Sequence, residues 1–149
     1  MVEGLYGSSK NVELGVKYLK KAKSNEPDAL FYLCELLIKG EVVPQDLATA
    51  KKYLKKNMSH PNNMKLYGKI CKIEKHYSEA QKYFLKGAKE GSVESMYEYG
   101  KMLFLGECVK KNEKEAYGYF FISKSKGHKK IEDFLNVYQL MKKIKEFDR

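Results

Sequence analysis

The chain has 149 residues, of which 43% are hydrophobic and 32% charged, and it contains only three prolines. This composition excludes fibrous and largely disordered proteins and favours one folded domain. No apolar run approaches the roughly 18 residues that cross a bilayer, and residues 1–10 lack the features of a signal segment. We therefore expect a cytoplasmic protein without a membrane span.

The net charge of +10 at pH 7 raises the possibility of a nucleic-acid partner. Arg149 is the only arginine, however, and all other basic residues are lysines. Arginine provides the bidentate fork that reads guanine edges and phosphates, whereas lysine acts as a point charge. Base-specific recognition is therefore not expected. Salt-sensitive binding of a polyanion through the lysines stays open as an alternative.

The three cysteines, Cys34, Cys71 and Cys108, are an odd number without a repeated pair spacing. This pattern predicts reduced thiols and a reducing compartment, of which the cytosol is the simplest. Cys34 and Cys71 occupy core positions of predicted helices, so we expect both to be buried. Cys108 falls in a predicted loop and is expected to be accessible.

Residues 1–25 predict a loop followed by a single helix. Residues 1–10 contain glycine and serine without periodicity, which is typical of a loop. In residues 11–25, Leu14, Tyr18 and Ala22 recur at helical spacing between lysines. This amphipathic segment has the pattern of the second helix of a hairpin, so we assign it as a half-repeat.

Residues 26–60 predict the first complete helical hairpin. Pro27 suits the first turn of a helix and Asp28 favours its positive end. The helix continues to Lys39 and ends at Gly40, after which Asp46 is placed to cap the second helix.

Residues 92–127 repeat this plan at an offset of 66 residues. Gly106 matches Gly40, and Asn112 matches Asp46, with Glu115 completing a variant of the capping box. Between them, residues 61–91 predict a shorter hairpin whose loop lacks four residues. A last amphipathic helix in residues 128–149, with Met141 and Ile144 on its apolar inner face, is expected to close the array as a cap with a polar outer face.

The predicted first helices share one pattern of apolar and small residues. It comprises Leu30-x2-Leu33-Cys34-x2-Leu37, Met64-x2-Tyr67-Gly68-x2-Cys71 and Met96-x2-Tyr99-Gly100-x2-Leu103. Periodicity of this kind marks stacked helical hairpins that cover each other's apolar faces. The sequence therefore predicts an all-α, right-handed α-solenoid of antiparallel helix pairs with a C-terminal capping helix.

The middle hairpin resembles a tetratricopeptide repeat at Tyr67-Gly68, Ala80 and Tyr83-Phe84. The outer hairpins are similar to its longer-looped relative, the Sel-one-like repeat, in two loop motifs: Gly40-x2-Val43-x2-Asp46 and Gly106-x2-Val109-x2-Asn112. The resemblance implies a non-catalytic adaptor that binds a protein or peptide in a concave groove. It also leaves open that the chain is the regulatory repeat region of a larger protein such as a kinase.

If first helices line that groove, as the resemblance implies, the residues between their core positions face the partner. These candidate residues are Phe31, Glu35, Lys65, Lys69, Lys72, Tyr97, Lys101 and Phe104. The three central lysines have i, i+4, i+7 spacing and share one helical face. A basic centre with aromatic flanks suits an acidic peptide, although lysines on an unused surface would give the same pattern.

Residues for catalysis are few. The three histidines, His60, His76 and His128, are scattered, and we expect exposed or hydrogen-bonding roles for them. Cys71 and His76 are five residues apart, which does not place them on one helical face as metal ligands. The sequence therefore predicts neither an enzyme nor a bound metal or cofactor.

Overall fold

The computed structural model describes residues 27–147 together with five earlier residues, Glu13, Leu14, Val16, Lys17 and Lys21, all of them helical. Most of the predicted half-repeat and all of residues 1–10 lie outside the described residues. Residues 27–147 contain helices and no strand. The helices are α1 (Pro27–Lys39), α2 (Leu47–Leu54), α3 (Pro61–Ile73), α4 (Tyr77–Lys89), α5 (Val93–Leu105), α6 (Glu113–Ser125) and α7 (Lys130–Phe147).

The chain divides into two compact units, residues 1–76 (unit 1) and residues 77–149 (unit 2). Helices α1, α2 and α3 belong to unit 1, and a short 3-10 helix, Lys55–Asn57, follows α2. Helices α4 to α7 belong to unit 2. Each unit has its own buried core, and each is described separately below.

The predicted helix ends are confirmed. Gly40 has a φ of +68°, in the left-handed region that favours glycine, and its N–H donates to Leu36 O at 3.1 Å. The Asp46 carboxylate accepts a hydrogen bond from Thr49 N at 3.0 Å and caps α2. Asn112 Oδ1 accepts from Glu115 N at 3.1 Å, and Asn112 Nδ2 donates to Glu115 Oε2 at 3.1 Å. These two bonds form the capping box expected at the start of α6.

The most deeply buried side chains of unit 1 are small or aliphatic and come from all three of its helices. Leu33, Cys34, Leu54, Ile70 and Cys71 are fully buried. The Cys34 thiol lies 3.9 Å from Ala50 O, so α1 and α2 approach closely at this small residue. Burial of both cysteines and exposure of Cys108 confirm the placement expected from the sequence.

Thiol reactivity should follow this burial. Burial raises the pKa of the Cys34 thiol to about 11, which suppresses the reactive thiolate. In the native protein at pH 8 we expect an aromatic disulfide reagent to modify one thiol quickly, and the Cys108→Ser variant to lose that fast phase. The other two should react only after unfolding. Any fast-reacting thiol that remains in the Cys108→Ser variant would show that the core of unit 1 is open.

One lysine of α2 departs from its expected place. Helical spacing predicts that Lys51 faces water together with Lys52, Lys55 and Lys56, and those three are exposed. Lys51 instead is half-buried and forms an ion pair with Glu74 just after α3. The hydrogen bond from its ammonium to Glu74 raises the pKa of Lys51. The sequence did not reveal this pair because its partners are 23 residues apart.

The core of unit 2 is aromatic. Phe104, Phe120 and Phe134 come from three helices, and their ring centroids lie 5.8 to 6.1 Å apart. Tyr138 of α7 meets Phe104 edge to face at 4.6 Å. Helix α5 approaches α6 at Gly100, where an added Cβ would lie only 2.7 Å from Phe120 Cε1.

Helix α7 is covered along only part of its predicted inner face. Ile131 is buried, and Phe134 and Tyr138 are half-buried, whereas Met141 and Ile144 are exposed. The expectation that the last two point inward is therefore wrong. Tyr97 near the start of α5 contacts Phe134, and Phe104 near its end contacts Tyr138, so α5 and α7 run in parallel. Helix α7 has 18 residues and α5 has 13. The last turns of α7 consequently extend past the end of α5.

Candidate functional site

In unit 1 the structure brings together two of the predicted site residues from different helices. Lys65 Nζ of α3 lies 5.0 Å from the ring centroid of Phe31 in α1. This is the distance of a cation–π contact, and both side chains are half-buried. The ring of Phe31 also meets Tyr32 edge to face at 5.9 Å. Phe31 and Lys65 thus form one continuous patch across two helices.

The other predicted residues of unit 1 extend this patch along the helices. Lys69 and Lys72 follow Lys65 on α3 at the spacing of one helical face, and both are half-buried. Glu35 follows Phe31 by one turn of α1 and is also half-buried. We call these five residues, Phe31, Glu35, Lys65, Lys69 and Lys72, the unit 1 face. Lysine side chains partly buried along their stems still present the ammonium at the surface.

A small polar cavity beside Phe31 was not predicted from the sequence. Its volume is about 60 Å³, and it is lined by Asp28, Leu30, Phe31, Asn57, His60, Asn62 and Asn63. His60 Nδ1 accepts a hydrogen bond from Asn62 N at 3.2 Å and caps α3. Ligand pockets for small molecules have volumes of roughly 300 to 1,000 Å³. The cavity is too small for such a ligand and can take only the end of a side chain.

In unit 2 the predicted aromatic residues lie in the core. The exposed fraction is 6% for Tyr97 and 2% for Phe104, so little of either ring is available to a partner. Burial, with smaller effects from Glu98, Glu94 and Asp133, raises the pKa of Tyr97 to about 12. Lys101 is partly exposed, with Nζ 4.6 Å from the Tyr97 ring centroid and 3.2 Å from Glu98 Oε2. It is the predicted site residue of unit 2 that reaches the surface.

His128 covers the Tyr97 ring on the side of α7. The two rings are stacked with centroids 4.3 Å apart, and His128 Nε2 lies 2.8 Å from Glu94 Oε2. The histidine side chain is 8% exposed and is therefore buried. Its contact with Glu94 confirms the hydrogen-bonding role that was one of the two expected for it. Asp28 and Phe31 stand 66 residues before Glu94 and Tyr97. In unit 1 the space beside Phe31, which corresponds to the space that His128 fills beside Tyr97, is the small polar cavity.

The described part of the chain was expected to hold no metal site, and its metal-ligating side chains are dispersed. No group of three His, Cys, Asp or Glu side chains there could hold a metal ion. His76 Nδ1 lies 3.4 Å from Glu74, the residue that also pairs with Lys51. Among the described helices, none is both long and apolar enough to cross a membrane.

Comparison with known protein families assigns the repeat. The sequence profile described as "Sel1 repeat" matches residues 2–26, 27–56, 57–92 and 93–128, which together make up most of the chain. The chain belongs to the Sel1 repeat family. Members of the Sel1 family have tetratricopeptide-like helical repeats, so the family predicted from the loop motifs is confirmed. Sel1 repeats are generally protein-interaction modules.

A solved structure supports the Sel1 assignment. The chain is similar to a protein described as "Crystal structure of Sel1 repeat protein from Oxalobacter formigenes", with 25% sequence identity and a TM-score of 0.68. The similarity covers 89% of this chain and 57% of that protein. It confirms the all-α solenoid class predicted from the sequence. No curated protein sequence matches this Sel1 chain.

Proposed function

We propose that this Sel1 chain is a non-catalytic scaffold that binds an acidic peptide or protein segment through the unit 1 face. The observation that carries the proposal is the contact between Lys65 and Phe31, which fixes a cation over an aromatic ring at a half-buried surface. Such a contact leaves both apolar and cationic groups accessible to one ligand. An extended or helical segment that bears carboxylates has matching chemistry.

The geometry of the unit 1 face favours recognition over diffuse attraction. A lysine held against a ring and a helix surface loses less side-chain freedom on binding than a fully solvated lysine. The i, i+4, i+7 spacing of Lys65, Lys69 and Lys72 places three cations on one helical face. A ligand with carboxylates at similar intervals can pair with all three.

In unit 2, Lys101 is the residue proposed to contact a partner. Tyr97 and Phe104 are not proposed to contact a partner, because their rings are buried. Tyr97 supports Lys101 through the 4.6 Å cation–π contact. The proposal for unit 2 therefore assigns binding to the Lys101 ammonium and positioning to the buried Tyr97 ring.

Matched charge reversals test the proposal. Lys65→Glu with Lys69→Glu alters the unit 1 face, and Lys52→Glu with Lys55→Glu makes the same charge change at exposed lysines of α2 and its C-terminal cap. The ligand is a partner captured from the native source and identified, and its affinity is measured by calorimetry. We expect about a tenfold loss or more for the first pair and less than about threefold for the second.

Two results would overturn this assignment. Unchanged affinity in a folded Lys65→Glu, Lys69→Glu variant would exclude the unit 1 face. Equal losses in both pairs would show that the partner responds to overall charge, as expected for a polyanion bound through many lysines. Circular dichroism of each variant provides the control for folding.

A further inference from the structure

Helix α7 has the residue pattern of a first helix. Ile131-x2-Phe134-Leu135-x2-Tyr138 repeats, 35 residues later, the spacing Met96-x2-Tyr99-Gly100-x2-Leu103 of α5. In this alignment Val137 corresponds to Met102. Phe134 and Tyr138 of α7 contact Phe104 of α5, so α7 packs beside the first helix that precedes it. Helix α7 is thus placed as the first helix of a further hairpin.

The corresponding faces of α5 and α7 differ in what covers them. In α5, Gly100 lies against Phe120 and Ala116 of the second helix, α6, and Met102 is fully buried. In α7, Val137, Leu140, Met141 and Ile144 are 53 to 60% exposed. Within the described residues, then, the position that is covered at Met102 of α5 is open at Val137 of α7, and exposed apolar side chains continue along the last turns of α7. Leu135 takes the place of Gly100, so a helix covering α7 would lie farther from it than α6 lies from α5.

A groove runs along this open surface. Its volume is about 360 Å³, and it is lined by Leu105, Phe134, Val137, Tyr138, Met141, Lys142 and Lys145. The floor is apolar, and the only charged groups of the lining are the two lysines. The acidic side chains of α7 are Glu132, which is paired with Lys124, Asp133 one turn before Val137, and the exposed Glu146, which directly follows Lys145. Carboxylates are absent from the lining itself.

We propose that this groove is a second docking surface, which binds an amphipathic helix with acidic residues along its edges. The bound helix would complete the hairpin that α7 begins: its apolar stripe would cover Val137 and Met141, and its carboxylates would meet Lys142 and Lys145. A second copy of the chain is a poorer occupant, because each copy has a net charge of +10 and two copies repel each other. This surface is separate from the unit 1 face.

Two designed peptides of 18 residues serve as probes. Both have leucine at i, i+3, i+4 and i+7 positions, with flanking glutamates in one peptide and flanking lysines in the other. Fluorescence anisotropy with the full chain is expected to show binding of the glutamate peptide and at least about tenfold weaker binding of the lysine peptide. Met141→Asp and Lys142→Glu with Lys145→Glu should each weaken binding of the glutamate peptide by about tenfold or more. These positions are exposed, so the fold should survive.

Matched variants separate this surface from other sites. Gln139→Asp adds the same charge as Met141→Asp on a different face of α7 and should leave affinity unchanged, as should Lys65→Glu with Lys69→Glu. Loss of binding in the Lys65→Glu, Lys69→Glu variant alone would assign the peptide to the unit 1 face and overturn the proposal. Equal affinity for both peptides, or no binding of either, would overturn it as well. So would a dimer in sedimentation that Met141→Asp dissociates, because it would identify a second copy as the occupant.

Discussion

Phe120→Ala is expected to lower the free energy of unfolding by about 3 to 5 kcal/mol, the usual cost of removing a fully packed phenylalanine. The Phe120 side chain is 3% exposed and contacts Phe104 and Phe134 from neighbouring helices. Its removal leaves a cavity at the centre of unit 2. Because the surrounding rings are rigid, they cannot collapse to fill this space. Urea denaturation followed by circular dichroism measures the loss.

The next residue provides the control for this substitution. Phe121 lies in the same helix and is 77% exposed, so Phe121→Ala should change stability by no more than about 0.5 kcal/mol. The two variants remove the same atoms from adjacent positions. Similar losses in both would show that the assigned helical register of α6 is wrong.

Gly100→Ala is the second substitution with a large expected effect. An added Cβ would lie 2.7 Å from Phe120 Cε1 and 3.5 Å from Ala116 O, so the ring or the helix must move. Overpacking of this kind costs about 1 to 3 kcal/mol, which exceeds the gain of roughly 0.5 to 1 kcal/mol that alanine brings to a helix interior. We expect a net loss of stability, measured by thermal or urea unfolding.

Gly118→Ala is the matched control in the neighbouring helix. Gly118 also lies inside a helix, but nothing approaches its added Cβ within 4 Å. The same substitution should therefore stabilise the protein by about 0.4 to 1 kcal/mol. Opposite signs at the two glycines are the expected result. A gain in stability at Gly100 would mean that α5 and α6 do not approach at this residue.

The hairpins were predictable because local signals and the repeat agree. Asp46 and Asn112 cap their helices as expected, and Gly40 ends α1, because these effects depend on residues within one turn. Burial of Cys34 and Cys71 followed from their repeated core positions. Such features need no knowledge of how distant segments pack.

The site was less predictable because its residues depend on contacts between distant segments. Tyr97 matches Phe31 in the repeat, yet His128 and Phe134 of α7 cover its ring, whereas Phe104 matches Ile38 and both of these are buried. Phe31 has no such cover in the described part of unit 1 and meets Lys65 instead. The periodicity gives the face of a helix but does not indicate which neighbour covers it. The open side of α7 escaped prediction for the same reason.

We propose that this Sel1 chain recognises a protein segment through defined surfaces, the unit 1 face and the groove along α7, and does not simply attract polyanions. Salt dependence tests it most directly. Affinity for the identified partner and for a 20-nucleotide RNA is measured on the same protein between about 50 and 200 mM salt, a range over which binding through 6 to 10 phosphates weakens about 10³- to 10⁵-fold. We expect the affinity for the partner to fall less than about tenfold over this range, and the weak binding of RNA to disappear at the higher salt concentration. A partner affinity that falls as steeply as that of RNA would contradict it.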